Sequence, residues 1–304
     1  MHYSRTAGCG TESGIKKILV LLDSNPVVGT FDAIMAYDAG IGCVLPLTGV
    51  SALNAAAIVH ETVFARPAKD LDHLALFIGG SSMAQGEAIL RAVESAFFDR
   101  MRVSVMLDSN GSNTTAAAIV AKVISTCDVS AERVVVLAGT GPVGMRTAAL
   151  LARQNAQVTL ASRDLARAKA ACDAIRERFG LEIQAAEAPD ATAAGRLLVG
   201  ASVVVTTGAP GVMLLRQAEW GVCPTLRVLA DVNAVPPFGI EGVDPSWDGE
   251  RSGGLAVFGA LGIGRLKKQV HYACLRKLFE RNDHVLDAEQ IFDVAWSMER
   301  ECAS

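Results

Sequence analysis

Val134-Val-Val-Leu-Ala-Gly139-Thr140-Gly141-Pro142-Val143-Gly144-Met145-Arg146 passes from an apolar run into closely spaced glycines, and then into the apolar stretch Thr147-Ala-Ala-Leu-Leu-Ala152. An uninterrupted β-branched run suits a parallel strand buried on both faces, and the alanine- and leucine-rich continuation suits a helix. Gly139, Gly141 and Gly144 fit G-x-G-x-x-G. In that pattern the first glycine permits a tight turn, the second lets backbone approach a pyrophosphate, and the third lets helix and strand pack closely. The helix start offers unpaired N–H groups to the anion. A strand before and a helix after are the context that makes this spacing a dinucleotide-binding turn.

Downstream, Gln157-Val-Thr-Leu-Ala161 reads as the next strand, and Ser162-Arg163 stand where such folds meet the adenosine ribose. An acidic residue there would bind the 2′-hydroxyl of NAD, whereas an arginine accommodates the 2′-phosphate of NADP. Arg163 pairs naturally with phosphate and Ser162 can donate to it, so NADP is the expected cofactor. Asp164 leaves NAD open: it either starts the helix from Leu165 to Phe179 or serves a ribose. Ala201-Ser-Val-Val-Val-Thr-Thr207-Gly208-Ala209 is a further strand, and its end either passes beneath a nicotinamide or is an ordinary turn. Arg227-Val-Leu-Ala230 then leads into the proline-rich loop Asp231-Val-Asn233-Ala-Val-Pro-Pro237.

Upstream the same alternation holds. Lys17–Leu22, Cys43–Leu45 and Leu74–Ile78 read as strands, Phe31–Tyr37 and Met83–Phe98 as helices, with a helix from Ser51 and a strand around Thr62 to Phe64 between them. Such alternation predicts an α/β protein with mostly parallel sheets covered on both faces and ligand loops at the carboxyl ends of strands. Arg102–Leu107 is followed by the polar run Asp108-Ser-Asn110-Gly-Ser112-Asn113-Thr114-Thr115 before an alanine-rich helix. One or two such residues would suffice to cap that helix, and the excess suggests a cleft lining as well. Phe258-Gly259-Ala-Leu-Gly262-Ile-Gly264-Arg265-Leu-Lys267-Lys268 opens a helix through Phe279 with its cations at the end the dipole disfavours. Solvated surface is the usual explanation for that placement, and a ligand carboxylate or carbonyl is the alternative. Asp287 to Glu299 reads as a terminal helix.

The chain has 304 residues, 51% of them hydrophobic, enough for a sizeable core. A net charge of -4 with no basic tract argues against nucleic acid as a partner. Cys9, Cys43, Cys127, Cys172, Cys223, Cys274 and Cys302 are scattered without C-x-x-C, so no metal site or disulfide framework is expected. A reducing cytoplasm fits, and neither a signal peptide nor a membrane span is indicated. Residues 1–14 read as a flexible tail.

Phe31-Asp32, Tyr37-Asp38-Ala39-Gly40, Leu107–Ala118, Leu137–Arg146, Asp231–Pro237 and Phe258–Gly264 together resemble the methylene-tetrahydromethanopterin dehydrogenases of methylotrophic bacteria. The resemblance spans nearly the whole chain after the tail. It implies NAD(P)-dependent oxidation of a methylene pterin to the methenyl form in one-carbon metabolism, sometimes with tetrahydrofolate as carrier. It implies two domains: a pterin-binding α/β domain over 15–125 plus 261–304 and a Rossmann-type, doubly wound, parallel-sheet dinucleotide domain over 126–260, in a cytoplasmic homo-oligomer. Carried over by motif, Phe31, Asn110, Ser112, Asn113, Thr114 and Lys267 would meet the pterin. Gly139, Thr140, Gly141, Pro142, Val143, Gly144, Met145, Ser162 and Arg163 would hold the cofactor, with Thr207, Gly208, Ala209 and Asn233 on its nicotinamide side. Arg163 matches the NADP-specific members, whereas the Asp231–Pro237 block is closer to members that also accept NAD.

Hydride removal from the bridging methylene needs no proton abstraction, so the reaction requires no catalytic triad. Asp108 is the expected stabiliser of the developing cation, and Lys267 is expected to bind pterin. A folate-specific methylene dehydrogenase is one alternative. Cyclohydrolase activity in addition is disfavoured, because Tyr37 is followed four residues later by Ile41 and the Tyr-x-x-x-Lys of those enzymes is missing. A non-catalytic NADP sensor is another alternative, for which the polar loop and Lys267 would be superfluous.

Overall fold

The computed structural model describes residues 14–303, so all but the last residue of the expected tail lies outside the described residues. The first half alternates β1 (Ile18–Asp23), α1 (Thr30–Asp38), β2 (Cys43–Leu47), α2 (Ala55–Phe64), β3 (Leu74–Gly79), α3 (Met83–Ala96), β4 (Ser104–Leu107) and α4 (Ser112–Thr126). The second runs β5 (Arg133–Leu137), α5 (Pro142–Arg153), β6 (Gln157–Ser162), α6 (Leu165–Phe179), β7 (Gln184–Glu187), α7 (Ala191–Leu197), β8 (Val203–Thr206), α8 (Gln217–Trp220), β9 (Val228–Asp231), β10 (Asp248–Ser252) and β11 (Leu255–Phe258). The chain then closes with α9 (Ala260–Lys277), β12 (Val285–Leu286) and α10 (Ala288–Ala303).

These strands form a five-stranded sheet in the order β12-β4-β3-β1-β2 and a seven-stranded sheet in the order β10-β11-β9-β8-β5-β6-β7. Every pairing is parallel except β10 with β11. The architecture is therefore the expected α/β one. In the first sheet the chain leaves β1 towards β2 on one side and returns through β3 to β4 on the other; in the second it leaves β5 towards β6 and returns through β8. Open parallel sheets bind ligands at the strand carboxyl ends beside such reversals. The loops after β1 and β3, and those after β5 and β8, are thus the two places to look.

Helix α4 joins the sheets. Ala116 to Ala121 are fully buried, and the core that contains them takes in Leu21, Phe77 and Met106 of the first sheet and Val134, Val136 and Val205 of the second. Small side chains let α5, α9 and α10 pack closely around this helix. A second core, with Leu22, Val59, Leu76 and Ile89, fills the opposite face of the first sheet.

The strand expected around Thr62 to Phe64 is the last turn of α2 instead. Ala55, Val59, Thr62 and Val63 share its buried face, and Thr62 Oγ1 donates to Ile58 O at 2.8 Å, so the helical period outweighs local β-branching. Among the described residues no helix is long and apolar enough to cross a membrane.

Candidate active site

The loops at the first sheet's reversal are drawn together by their own polar groups. Asp23, at the end of β1, is fully buried, and its carboxylate accepts from the N–H groups of Asn25 and Gly29, each at 2.8 Å. Asn25 Oδ1 accepts from Ser81 Oγ at 2.8 Å, which ties the loop after β1 to the loop after β3. The third side comes from the loop after β4, where Asn110 N donates to Gly80 O at 2.7 Å and Ser109 Oγ to Gly79 O at 2.8 Å. These loops enclose a cavity of about 310 Å³ lined by Asp23, Phe31, Asp32, Asn110, Gly111 and Lys267, among others.

Phe31 is 51% exposed although its ring faces this cavity, an aromatic surface available for stacking. Lys267 comes from α9 and holds its Nζ 4.9 Å from the Phe31 ring centroid. Helix α9 is anchored for this on α1: Tyr272 Oη donates to Asp38 Oδ2 at 3.0 Å and Arg276 Nε to Ala39 O at 3.0 Å. Gly111 supplies the clearance. It sits at φ +59, and a Cβ there would lie 2.7 Å from Lys267 Nζ.

Beneath Phe31 lies His271, one turn beyond Lys267 on the same helix face. It is buried, edge-on to Phe31 at 6.1 Å and tilted against Phe77 at 5.5 Å. Its Nδ1 is 3.4 Å from Asp108 Oδ2 but is not aligned for a hydrogen bond, leaving both ring nitrogens without a partner. Asp32 faces the cavity beside them. Burial pushes its carboxyl from the ordinary 3.8 up to about 6; His271 and Lys267 pull it down, while Asp108 and Asp23 add to the rise.

Of the residues expected to meet the pterin, the fold brings Phe31, Asn110 and Lys267 to the cavity. It does not bring Ser112, Asn113, Thr114 or Asp108. All of these are fully buried. Asp108 Oδ1 accepts from Asn113 N at 2.9 Å and Thr114 N at 3.0 Å, and Oδ2 from Thr114 Oγ1 at 2.7 Å. Ser112 Oγ donates to Ser109 O, and Asn113 Nδ2 donates to Leu107 O. The polar excess of this loop satisfies the start of a helix in which Ser112, Asn113 and Thr114 are fully buried, so internal groups supply the capping bonds. Asp32 and His271 take the places that sequence reasoning left unassigned. The Phe31-Asp32 block already held the first, and the Lys267-x-x-x-His271 spacing held the second.

At the second sheet's reversal, the glycine turn is built as its sequence requires. A Cβ on Gly144 would lie 2.5 Å from Gly139 Cα, whereas one on Gly141 would meet nothing within 4 Å. Close packing and open approach are thus separated between the glycines. Helix α5 begins at Pro142 with no side-chain cap and no acidic residue in its first turn, the state of a helix end that fits a dinucleotide pyrophosphate. Thr140 lies on the rim of this turn, while Val143 and Met145 pack against the core, so their side chains serve the turn from inside. Thr207 Oγ1 lies 3.3 Å from Leu137 O and Ala138 O, and holds the end of β8 against the turn with Gly208 and Ala209 beyond it. Asn233 is taken up within its own loop: Nδ2 donates to Pro237 O at 3.1 Å and Oδ1 accepts from Val235 N at 2.9 Å.

Ser162 is buried at the end of β6. Arg163 is exposed beside a cavity of about 90 Å³ that Ala138, Asp190 and Leu214 also line, and it makes no ion pair among the described residues. Asp164 points elsewhere. Its Oδ1 accepts from Ala166 N at 2.7 Å and Arg167 N at 3.1 Å, so it caps α6. A larger cavity of about 600 Å³, lined by α7, α8 and the segment before β8, lies at the amino ends of the strands, away from both clefts.

Residues 30–110 match the family model for the methylene-tetrahydromethanopterin dehydrogenase N-terminal region. The chain is 45% identical over 285 residues to the bifunctional protein MdtA of Methylorubrum extorquens, covering 93% of this chain and 99% of that one. It is 31% identical over 291 residues to the NAD(P)-dependent methylenetetrahydromethanopterin dehydrogenase of the same organism, covering 92% and 98%. Among solved structures, shikimate 5-dehydrogenases share the fold. That of Mycobacterium fortuitum has a TM-score of 0.53 at 14% identity over 93% of this chain and 99% of the other. That of Listeria monocytogenes, in complex with shikimate and NAD, has a TM-score of 0.51 at 12% identity over 93% and 98%.

Proposed function

The chain belongs to the methylene-tetrahydromethanopterin dehydrogenase family, and from that premise we propose that it oxidises methylene-tetrahydromethanopterin to the methenyl form with NADP as acceptor. It is an NAD(P)-dependent enzyme of one-carbon pterin metabolism. The observation that carries the substrate reading is the cavity where Phe31, Asp32 and Lys267 meet. An exposed aromatic face, a carboxylate and an ammonium group are what a flat, polar-edged pterin ring requires. We divide the chain accordingly into a pterin-binding part, 15–125 plus 261–304, and a dinucleotide part, 126–260; the pairing of β12 with β4 supports the return of the chain end to the first part.

When bound, the dinucleotide supplies the hydride acceptor. Gly139 to Met145 would hold its pyrophosphate and Ser162 with Arg163 its ribose phosphate; the capping role of Asp164 favours NADP over NAD. Loss of hydride leaves the methylene carbon as part of a cation shared by two nitrogens, and no proton has to move. The chain therefore orients and stabilises. Phe31 stacks on the pterin, Lys267 and Asn110 fix its polar edge, and the Asp32 carboxylate faces the developing charge. Asp108, the carboxylate expected from sequence, acts at one remove by closing the loop that carries Asn110. Held at near-attack distance, two rings gain roughly 7 kcal/mol at the low end of well-oriented cases.

The exposed Phe64 and Phe98 are apolar surface that a homo-oligomer would cover, and Cys43, Cys127, Cys172, Cys223 and Cys274, free thiols among the described residues, suit a reducing cytoplasm. The test is the absorbance of reduced nicotinamide, followed with methylene-tetrahydromethanopterin, with methylene-tetrahydrofolate and without pterin, each against NADP and NAD. We expect turnover only with a methylene pterin, and faster with NADP. Binding of NADP without turnover on either pterin would leave a nucleotide sensor instead.

A further inference from the structure

Arg146 closes the glycine-turn motif, yet nothing in the reaction outlined above uses it. It is 4% exposed and stands on α5, the helix of the dinucleotide turn. Its Nε donates to Asn113 Oδ1 at 2.5 Å and its Nη2 to Glu87 Oε1 at 2.7 Å. Both partners belong to the elements of the first sheet: Glu87 to α3 and Asn113 to the first turn of α4. Asn113 is then used completely, since its Nδ2 donates to Leu107 O at 2.6 Å and to Asp287 Oδ1 at 2.9 Å. Asp287 Oδ2 in turn accepts from Arg178, at the end of α6. Two arginines from the dinucleotide half thus grip one polar network in the other half.

We infer that Arg146 is a positioning residue for hydride transfer: through Asn113 it sets the register between the glycine turn and the loop that floors the pterin cavity. Asn113 is the junction because its backbone N–H also binds Asp108 at 2.9 Å, and the Asp108–Gly111 loop presents Asn110 and Gly111 to the cavity. Apolar residues of similar size would join two helices at least as firmly as a buried charged group does. What the guanidinium adds is direction, because its rigid planar fork fixes two acceptors in a set geometry, whereas the donors of an ammonium group rotate on a flexible stem. A shift of the turn relative to the loop changes the separation of the two clefts without altering either cleft's own contacts. The inference rests on the hydride-transfer reading above.

The test compares wild type with Arg146→Lys and Glu87→Gln. Three readouts are taken: kcat, the KM of each substrate, and amide hydrogen exchange at Asn113 and Thr114 in the free protein. Arg146→Lys should lower kcat by at least about tenfold and leave both KM values within about threefold. Exchange at both amides should become faster, because the loop has lost its anchor. Glu87→Gln keeps an acceptor for Nη2 and should show the same pattern at about fivefold in kcat; it carries the test should the lysine variant not fold. Unchanged kcat with unchanged local exchange in the folded variants, whatever happens to Tm, overturns the inference and leaves a purely structural network. A rise in KM with kcat unaltered overturns it too. A wild-type chain with no turnover on either pterin overturns the functional reading, and this inference with it.

Discussion

Asp32 is where the site departs most from its sequence expectation, and it makes the sharpest demand on experiment. A folded carboxyl raised from 3.8 to about 6 holds its proton more tightly than the same group in the unfolded chain. Its effect on stability is therefore least harmful below 3.8 and worsens as pH rises through about 6. Asp32→Asn should raise Tm relative to wild type at pH 8 and lose that advantage under acid conditions, as thermal melts across pH would record. The role proposed for Asp32 in the reaction needs the opposite state. Wild-type kcat/KM for the pterin should climb as pH rises through about 6, and Asp32→Asn should be slower with that inflection gone. Gly111→Ala offers a second check, because it combines strain at φ +59 with a contact on Lys267 Nζ. It should cost about 1 kcal/mol in stability by denaturant titration while raising the pterin KM severalfold. Phe31 and Lys267 were legible from motif resemblance. Asp32 stands next to Phe31 and His271 one turn after Lys267, so their positions are in the sequence, but only the packing of α1 against α9 shows that the two groups face one another.

Elements separate what adjacent residues do. Ser162, Arg163 and Asp164 are consecutive, yet Asp164 belongs to α6 as its cap and Arg163 to the cleft. Asp164→Ala should therefore cost about 1 kcal/mol of stability with the NADP KM unchanged. Arg163→Ala should leave stability alone and raise the NADP KM at least about tenfold, with the NAD KM little altered. Steady-state kinetics with each nucleotide, set beside melts of both variants, decide the matter. The long helices and buried strands were legible because periodicity and β-branching agree there, as α6 from Leu165 to Phe179 illustrates. In α2 they disagreed, and the buried face of the helix prevailed. The β10–β11 hairpin is marked in the sequence only by Gly253-Gly254, which stand at its turn with φ +59 and +92, a pattern hairpins use. The polar run from Asp108 to Thr115 was read as cleft lining, and most of it lies inside. Sequence shows that groups are polar; only the packing of α4 between two sheets shows that their partners are internal.

At the scale of the molecule, the reversal of strand order in each sheet sets up two clefts, and α4 with its alanines lets the sheets share one core. The glycine turn that first betrayed the fold describes only one of them. The other cleft holds an aromatic ring, a carboxylate and an ammonium group, which we propose receive the pterin, and buried polar bonds join the two. The claim at the centre is direct transfer between ligands held in these clefts. Methylene-tetrahydromethanopterin deuterated at the methylene carbon, mixed with excess enzyme and NADP for a single turnover, tests it by mass analysis of the products. The account predicts that each reduced nicotinamide carries one deuterium and that the label does not exchange with water. Reduced nicotinamide carrying solvent hydrogen, or none formed at all, would contradict it.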